Sequence, residues 1–266
     1  MPEIVANGVR LHVQRLSPQH RLLTPAQPVV FIHGLGMDNM SSYYYTLANP
    51  VAQAGAEVIL YDLRGHGLSE RPRTGYRVAD SVDDLAALLD ALGIDGPVHL
   101  IGNSYGGIVA LSFAADYPHR VASLVLIEAH FTVAGWAEQV AAERDRIETA
   151  VADAQRSGWL DMLGRKVTRL LAMADDLINE TTFLADLKAV QPLPGGQLRQ
   201  LTCPVRAVYG EHSDVIDYAR ELEACLPRCV LTVLAGCGHS VLMDATAALR
   251  DIVLDWLTTR TTAAVR

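Results

Sequence analysis

Pro97-Val-His-Leu-Ile-Gly-Asn-Ser-Tyr-Gly-Gly107 is an apolar strand pattern that runs directly into a glycine-flanked serine. Gly102 to Gly106 fit G-x-S-x-G, the nucleophile elbow, in which a tight strand-to-helix turn lifts one serine hydroxyl above the end of a sheet. Such a turn crowds and strains the backbone, so its flanks must be nearly without side chains; Gly102, Gly106 and Gly107 meet that need. The context agrees. Val98 to Ile101 reads as a short strand, and Ile108 to Ala115 as a buried helix ending near Tyr117-Pro118. Ser104 is therefore the candidate nucleophile, against the competing reading of an ordinary serine in a close-packed turn.

Outward from this stretch, strands and helices alternate. Val29 to Ile32 is uniformly apolar, as a strand covered by helices on both faces must be. Glu57 to Tyr61, Val121 to Ile127, Val205 to Tyr209 and Val230 to Leu234 also read as strands. Between them the spacing predicts helices from Ser41 towards Ala54, stopped by Gly55, and from Val78 to Leu92. In the latter, Val82, Leu85, Ala86, Leu88, Leu89 and Leu92 form one stripe while Asp80, Asp83, Asp84 and Asp90 face water. Further helices are expected at Tyr218 to Cys225 and, as one closing helix, Val241 to Leu257. Ile4 to Ala6 and Val9 to Leu16 read as a hairpin joined at Asn7-Gly8, and Gln19 to Gln27 as a loop. The alternation predicts an α/β chain with a mostly parallel, three-layer sheet.

The rhythm changes between Glu128 and about Gln200, which carry helical periodicity and no convincing strand. Val133 to Ala154, Trp159 to Met173 and Leu177 to Val190 are the three expected segments, and Pro192, Pro194, Gly195 and Gly196 then break the chain. The predicted organisation is a core of residues 1–130 and 201–266 with a helical cap, 131–200, over the carboxyl ends of the strands, where α/β sheets bind ligands.

At 266 residues, half of them hydrophobic, the chain can bury a large core. Its formal charge of −8 argues against nucleic acid as a partner, because phosphate binding needs a concentrated positive field. No apolar run approaches membrane-spanning length and the first ten residues lack a signal pattern, so the expectation is a soluble, cytoplasmic protein. Cys203, Cys225, Cys229 and Cys237 contain no C-x-x-C pair and are expected to be reduced structural thiols.

A serine hydroxyl needs a base to take its proton and a carboxylate to hold that base. Of nine histidines, His239 is favoured: it lies late in the chain, in a glycine-bearing loop beyond the last strand. His33, His66, His130 and His212 also follow strands or lie in nearby loops. Asp214, just past the Val205 to Tyr209 strand, is the expected orienting acid. Asp217 and Glu211 compete with it for proximity, and Glu128, at the end of the preceding strand, is the alternative; the bland reading makes Asp214 a helix cap. Attack on a carbonyl also creates an oxyanion. The backbone N–H groups of Tyr105, just after the nucleophile, and Leu35, between Gly34 and Gly36, are the expected donors.

Other motifs are less specific. Gly34 and Gly36 lack the full dinucleotide fingerprint. Asp62, Arg64 and His66 read as an internally bonded loop beside the pocket, and His33 as a buried residue shaping its own loop. A metal at Asp38, Asp62 and His66 has no recognisable spacing. Arg165, Lys166 and Arg169 form a small basic cluster in the cap, and Tyr43, Tyr44 and Tyr45 cannot all face one pocket.

These residues resemble the alpha/beta-hydrolase family, in its capped group of esterases, perhydrolase-like enzymes and carbon–carbon bond hydrolases. The resemblance rests on His33-Gly34, Tyr61-Asp62-Leu63-Arg64-Gly65-His66-Gly67-Leu68-Ser69, Gly102 to Gly107, Asp214 and Gly238-His239. It implies an eight-stranded sheet, Ser104, Asp214 and His239 as a catalytic triad, Leu35 and Tyr105 as oxyanion donors, no cofactor and no metal. A serine at 104 speaks against epoxide hydrolases and haloalkane dehalogenases, which resemble this pattern but carry an aspartate there. Gly-Asn-Ser-x-Gly-Gly is similar to hydrolases of ring-cleavage products, yet Ser240 stands after His239 where that group often has an aromatic residue. The function implied is cleavage of a carboxylic ester or thioester in a small-molecule acyl substrate, free or on a carrier. Carbon–carbon bond hydrolysis and a non-catalytic receptor or scaffold on the same fold are the alternatives.

Overall fold

A computed structural model describes residues 3–18, 27–129, 164–189 and 195–263. Eight strands form one sheet: β1 Glu3–Ala6, β2 Val9–Leu16, β3 Val29–Ile32, β4 Val58–Tyr61, β5 Val98–Asn103, β6 Val121–Ile127, β7 Val205–Gly210 and β8 Cys229–Leu234. Their spatial order is β1-β2-β4-β3-β5-β6-β7-β8. The pairs β1–β2 and β2–β4 are antiparallel and the rest parallel. The first hairpin closes through Asn7 and Gly8, both with positive φ (+49° and +75°), as a tight turn demands.

The period-two alternation of each strand divides the core into two layers. Val30, Ile32, Leu100 and Leu126 pack on one face with the helices Val78–Ala91 and Tyr105–Asp116. Val29, Phe31, Ile101 and Val125 pack on the other with Tyr43, Leu47, Val51, Leu249, Val253 and Trp256. The sheet is thus covered on both sides, the three-layer arrangement expected from the uniformly apolar strands.

Several elements differ in detail from the sequence reading. The helix expected from Ser41 is helical throughout but widens into a π segment at Tyr44–Ala48 before Asn49–Gln53. Pro50, which has no N–H and crowds the preceding turn, stands just past the widened stretch. The closing helix is two: Val241–Asp244, then Thr246–Ala263 after a break at Ala245 (φ −128°, ψ 33°). Thr246 Oγ1 donates to the Leu242 carbonyl there at 2.7 Å, a side-chain bond that competes with the helical ladder. Asp84, expected in water, is buried and ion-paired with Arg64, whose Nε lies 2.6 Å from Asp84 Oδ2. Tyr43 is buried and Tyr45 exposed, so the three tyrosines do diverge.

Of the expected cap, Gly164–Glu180, Phe183–Lys188 and Gly195–Leu198 are helical. The break falls at Thr181-Thr182, not before Leu177: Thr181 Oγ1 donates to the Leu177 carbonyl and accepts the Phe183 N–H at 3.1 Å. The helix expected at Val133 to Ala154, the start of that at Trp159, most of the Gln19 to Gln27 loop and His130 lie outside the described residues, as do the side chains of Arg165, Lys166 and Arg169. Gly164–Glu180 and the segment 182–188 meet the loop after β4. Arg71 pairs with Asp176 at 3.0 Å, the Thr182 N–H reaches the Arg73 carbonyl at 2.9 Å, and Asp186 Oδ2 takes the Tyr76 N–H at 2.9 Å.

Candidate active site

From β3 the chain crosses to β4 on one side, then returns to β5 on the other, so the strand order reverses between β3 and β5. Loops leaving the carboxyl ends of those neighbours splay apart and open a crevice. Ser104 stands there, between β5 and the helix Tyr105–Asp116, at φ +50° and ψ −117°. Only three described non-glycine residues have positive φ, namely Asn7 in the hairpin turn, Ser104 and Glu128. The glycine requirement of the elbow is steric: a Cβ at Gly102 would come within 2.3 Å of the Gly106 carbonyl oxygen, and one at Gly106 within 2.0 Å of the Ile32 oxygen. The helix therefore starts almost in contact with β3.

The loop after β3 lies against the serine; a Cβ at Gly34 would meet Ser104 Cβ at 3.6 Å. Its amides are fixed on both sides of Leu35. The Gly34 N–H donates to Asp38 Oδ2 at 2.7 Å, and the Gly36 N–H to His66 Nε2 at 3.1 Å. Among the described residues no acceptor is found for the Leu35 N–H. To accept from Gly36, His66 must carry its proton on Nδ1, which faces the Arg64 carbonyl at 2.9 Å. Burial pushes its pKa down to about 4, the nearby His33 adding to the effect, so the ring is neutral at physiological pH. His33 is wholly buried, its Nδ1 2.7 Å from the Gly34 carbonyl and its Nε2 accepting the Leu63 N–H at 2.9 Å. Both are structural, as the sequence suggested. Asp62 is likewise committed, to His12 Nδ1 and to the N–H groups of Met40 and Leu68, each at 2.9 Å.

His239 Nε2 lies 3.4 Å from Ser104 Oγ. Its Nδ1 lies 3.2 Å from two carboxylates, Glu128 Oε2 and Asp214 Oδ1. Burial of the ring lowers its pKa, but the hydrogen bond and charge of Glu128, with those of Asp214, outweigh that and leave the imidazole above its ordinary value. Asp214 does not cap the following helix, Ile216–Cys225, whose N-cap is Val215 without a side-chain bond. The other contenders are dispersed: Asp217 pairs with Arg220 at 2.9 Å, and Glu211 takes the Gly236 N–H at 3.0 Å. The four cysteines are free, and burial raises the thiols of Cys203 to about 11 and Cys229 to about 12, which keeps both protonated.

Ser213 escaped the sequence reading. It is buried, donates to Glu128 Oε2 and accepts the Val215 N–H at 3.2 Å. No residue pattern marks a serine beside an aspartate in a loop as a brace for a carboxylate 85 residues away.

A strained serine at the reversal point of a mostly parallel sheet, with an imidazole at its hydroxyl, defines the class as an alpha/beta hydrolase. Residues 27–246 match the family model described as alpha/beta hydrolase fold, and the chain belongs to that family of hydrolases. It is similar to a proline iminopeptidase of Lactobacillus delbrueckii subsp. bulgaricus, 26% identical over an alignment 270 positions long, gaps included, that covers 88% of this chain and 90% of that protein. A shorter stretch of 103 residues is 41% identical to a 2-hydroxy-6-oxo-2,4-heptadienoate hydrolase of Pseudomonas putida, covering 38% of this chain and 37% of the relative. Among solved structures, a carboxylesterase study of Nitrososphaera gargenis provides a chain superposing with a TM-score of 0.76 at 24% identity, over 98% of this chain and all of that one. Among the described residues no helix is long and apolar enough to cross a membrane.

Proposed function

We propose that the protein hydrolyses a carboxylic ester or thioester of a small acyl substrate through a Ser104 acyl-enzyme. The observation that carries this reading is the approach of His239 Nε2 to Ser104 Oγ at 3.4 Å with carboxylates behind Nδ1. His239 takes the hydroxyl proton on Nε2 as Oγ bonds to the carbonyl carbon. The oxyanion is met by the amides of Leu35 and Tyr105. Nε2 then returns the proton to the leaving alcohol or thiol, and water releases the acid by the same path.

Residues 131–200 act in this reading as a lid that forms the acyl wall and excludes water. Support comes from the described part, where Phe183 packs edge-on against His66 (6.2 Å) and Tyr76 (5.7 Å), beside the Leu35 loop.

A second reading, hydrolysis of a carbon–carbon bond in a dienol or diketone, is favoured by the stretch similar to the heptadienoate hydrolase. The discriminating experiment is a panel of p-nitrophenyl esters, acyl thioesters, a 2-hydroxy-6-oxo-dienoate and proline p-nitroanilide. We expect ester and thioester turnover, lost by at least about a thousandfold in Ser104→Ala with the fold unchanged. Turnover of the dienoate alone would select the second reading, and equal rates in wild type and variant would refute both.

A further inference from the structure

Two carboxylates stand at the same distance from His239 Nδ1, yet they differ in every other respect. Glu128 follows β6 directly, at φ +51°, with its N–H tied to the Val208 carbonyl at 3.1 Å. Its side chain has no solvent exposure. Oε1 accepts the Gly210 N–H at 2.5 Å, and Oε2 accepts the Ser213 hydroxyl as well as facing His239. The backbone behind it is braced by the buried Tyr209, whose hydroxyl donates to the Ala129 carbonyl. Among the described residues its one ion-pair partner is His239. Asp214 is 81% exposed on its side chain, and among the described residues no donor but His239 holds it.

These differences decide which group controls the ring. A carboxylate fixed at both oxygens and removed from water acts through a low local dielectric and loses no freedom when the imidazolium forms. An exposed one is screened by solvent and must be immobilised each time. A buried carboxylate also needs a compensating partner, and the imidazole is the partner present. The positive φ of a non-glycine residue is a strained conformation that persists only where the surroundings enforce it.

We propose that Glu128, not Asp214, is the principal positioning residue for His239, fixing its Nδ1–H tautomer and stabilising the imidazolium, with Asp214 a solvent-facing auxiliary. This deepens the Ser104–His239 reading above and rests on it. The proton stays on the imidazole throughout: Nδ1–H donates to Glu128 while Nε2 exchanges the serine proton. The groups facing the ring are Glu128 from the end of β6, Asp214 from the loop after β7, and Ser104 from the elbow. Glu211 and His212 lie farther along the β7 loop, paired with each other at 3.9 Å, and Cys237 is in the ring's own loop.

The test compares Glu128→Gln and Asp214→Asn in the full chain, by kcat, KM and the pH profile of kcat/KM on a p-nitrophenyl ester. Glutamine keeps an acceptor for the Gly210 N–H but presents N–H to the ring, favouring the tautomer that cannot take the serine proton. Glu128→Gln is expected to lower kcat at least about a hundredfold with KM little changed, and to move the acid limb to lower pH. Asp214→Asn is expected to lower kcat less than about tenfold, with a smaller shift of that limb. Asp214 is exposed, so its variant folds whatever becomes of the other; a thousandfold loss in folded Asp214→Asn overturns the proposal. NMR titration of the His239 ring in both variants gives a readout independent of turnover. A larger drop in ring pKa for Glu128→Gln supports the assignment even if no ester is cleaved, and a larger drop for Asp214→Asn contradicts it. Absence of turnover in wild type would instead count against the ester reading.

Discussion

Histidines act on this protein in opposite directions. His66 and His99 are both pushed down to about 4 by burial, with His33 adding to the effect on His66. Unfolded, each titrates near 6.5. Their contribution to stability is therefore whole above about pH 6.5 and is lost as the pH falls towards 4, by roughly 3 kcal/mol each at most. His239 has the opposite sign: its raised pKa gives a contribution present below about pH 6.5 and lost as the pH rises through the folded value. Urea melts from pH 7.5 to 4.5 should show falling stability, with a shallower fall in His99→Gln, where one of the two rings is gone. An identical slope in wild type and variant would show that His99 is not held neutral. At this scale the sequence singled out Ser104 and His239 because the chemistry demands those residue types, and the structure brings them to 3.4 Å. The sequence was silent where a contact comes from burial alone, as for Ser213 on Glu128, and it put Asp214 ahead of Glu128 because side-chain exposure is not written in residue spacing; the structure brings both to 3.2 Å from His239 Nδ1.

At the scale of elements, the helix Val78–Ala91 shows what periodicity can and cannot reveal. Its apolar stripe was legible, and Asp80 closes its start by accepting the Arg77 N–H at 2.9 Å. Asp83 and Asp84 looked equivalent, because a helical pattern records which residue is charged and not which charge has a partner arriving from another loop. Asp84 is met by Arg64 and by Asn7 Nδ2 at 3.0 Å. Asp84→Asn is expected to destabilise the fold by about 3 kcal/mol or more, because it leaves the Arg64 guanidinium buried without a counter-charge. The neighbouring Asp83→Asn, on the exposed side, should change stability by no more than about 0.5 kcal/mol. Denaturant midpoints of the two variants measure this; comparable effects would contradict the burial assigned to the pair. The breaks at Ala245 and Thr181 were illegible for a related reason. Threonine hydroxyls can bond local carbonyls anywhere, and tertiary context decides where they interrupt a helix.

On the scale of the whole molecule, the core announces itself and the role of the stretch between β6 and β7 does not. A mostly parallel sheet between two helical layers follows from apolar runs and glycine-marked turns, since a parallel sheet has few ways to bury both faces. Helical periodicity of the kind that stretch carries is met by many sequences, so the substrate of the proposed reaction is not written in a motif. In the proposed function the reversal point of the sheet presents an activated hydroxyl at Ser104. Labelling the folded protein with a fluorophosphonate and locating the adduct by mass spectrometry tests it most directly. One adduct is expected, on the peptide containing Ser104, absent in Ser104→Ala and formed far more slowly in His239→Ala. A folded protein that takes up no label after prolonged exposure, or takes it up on another serine, would contradict it.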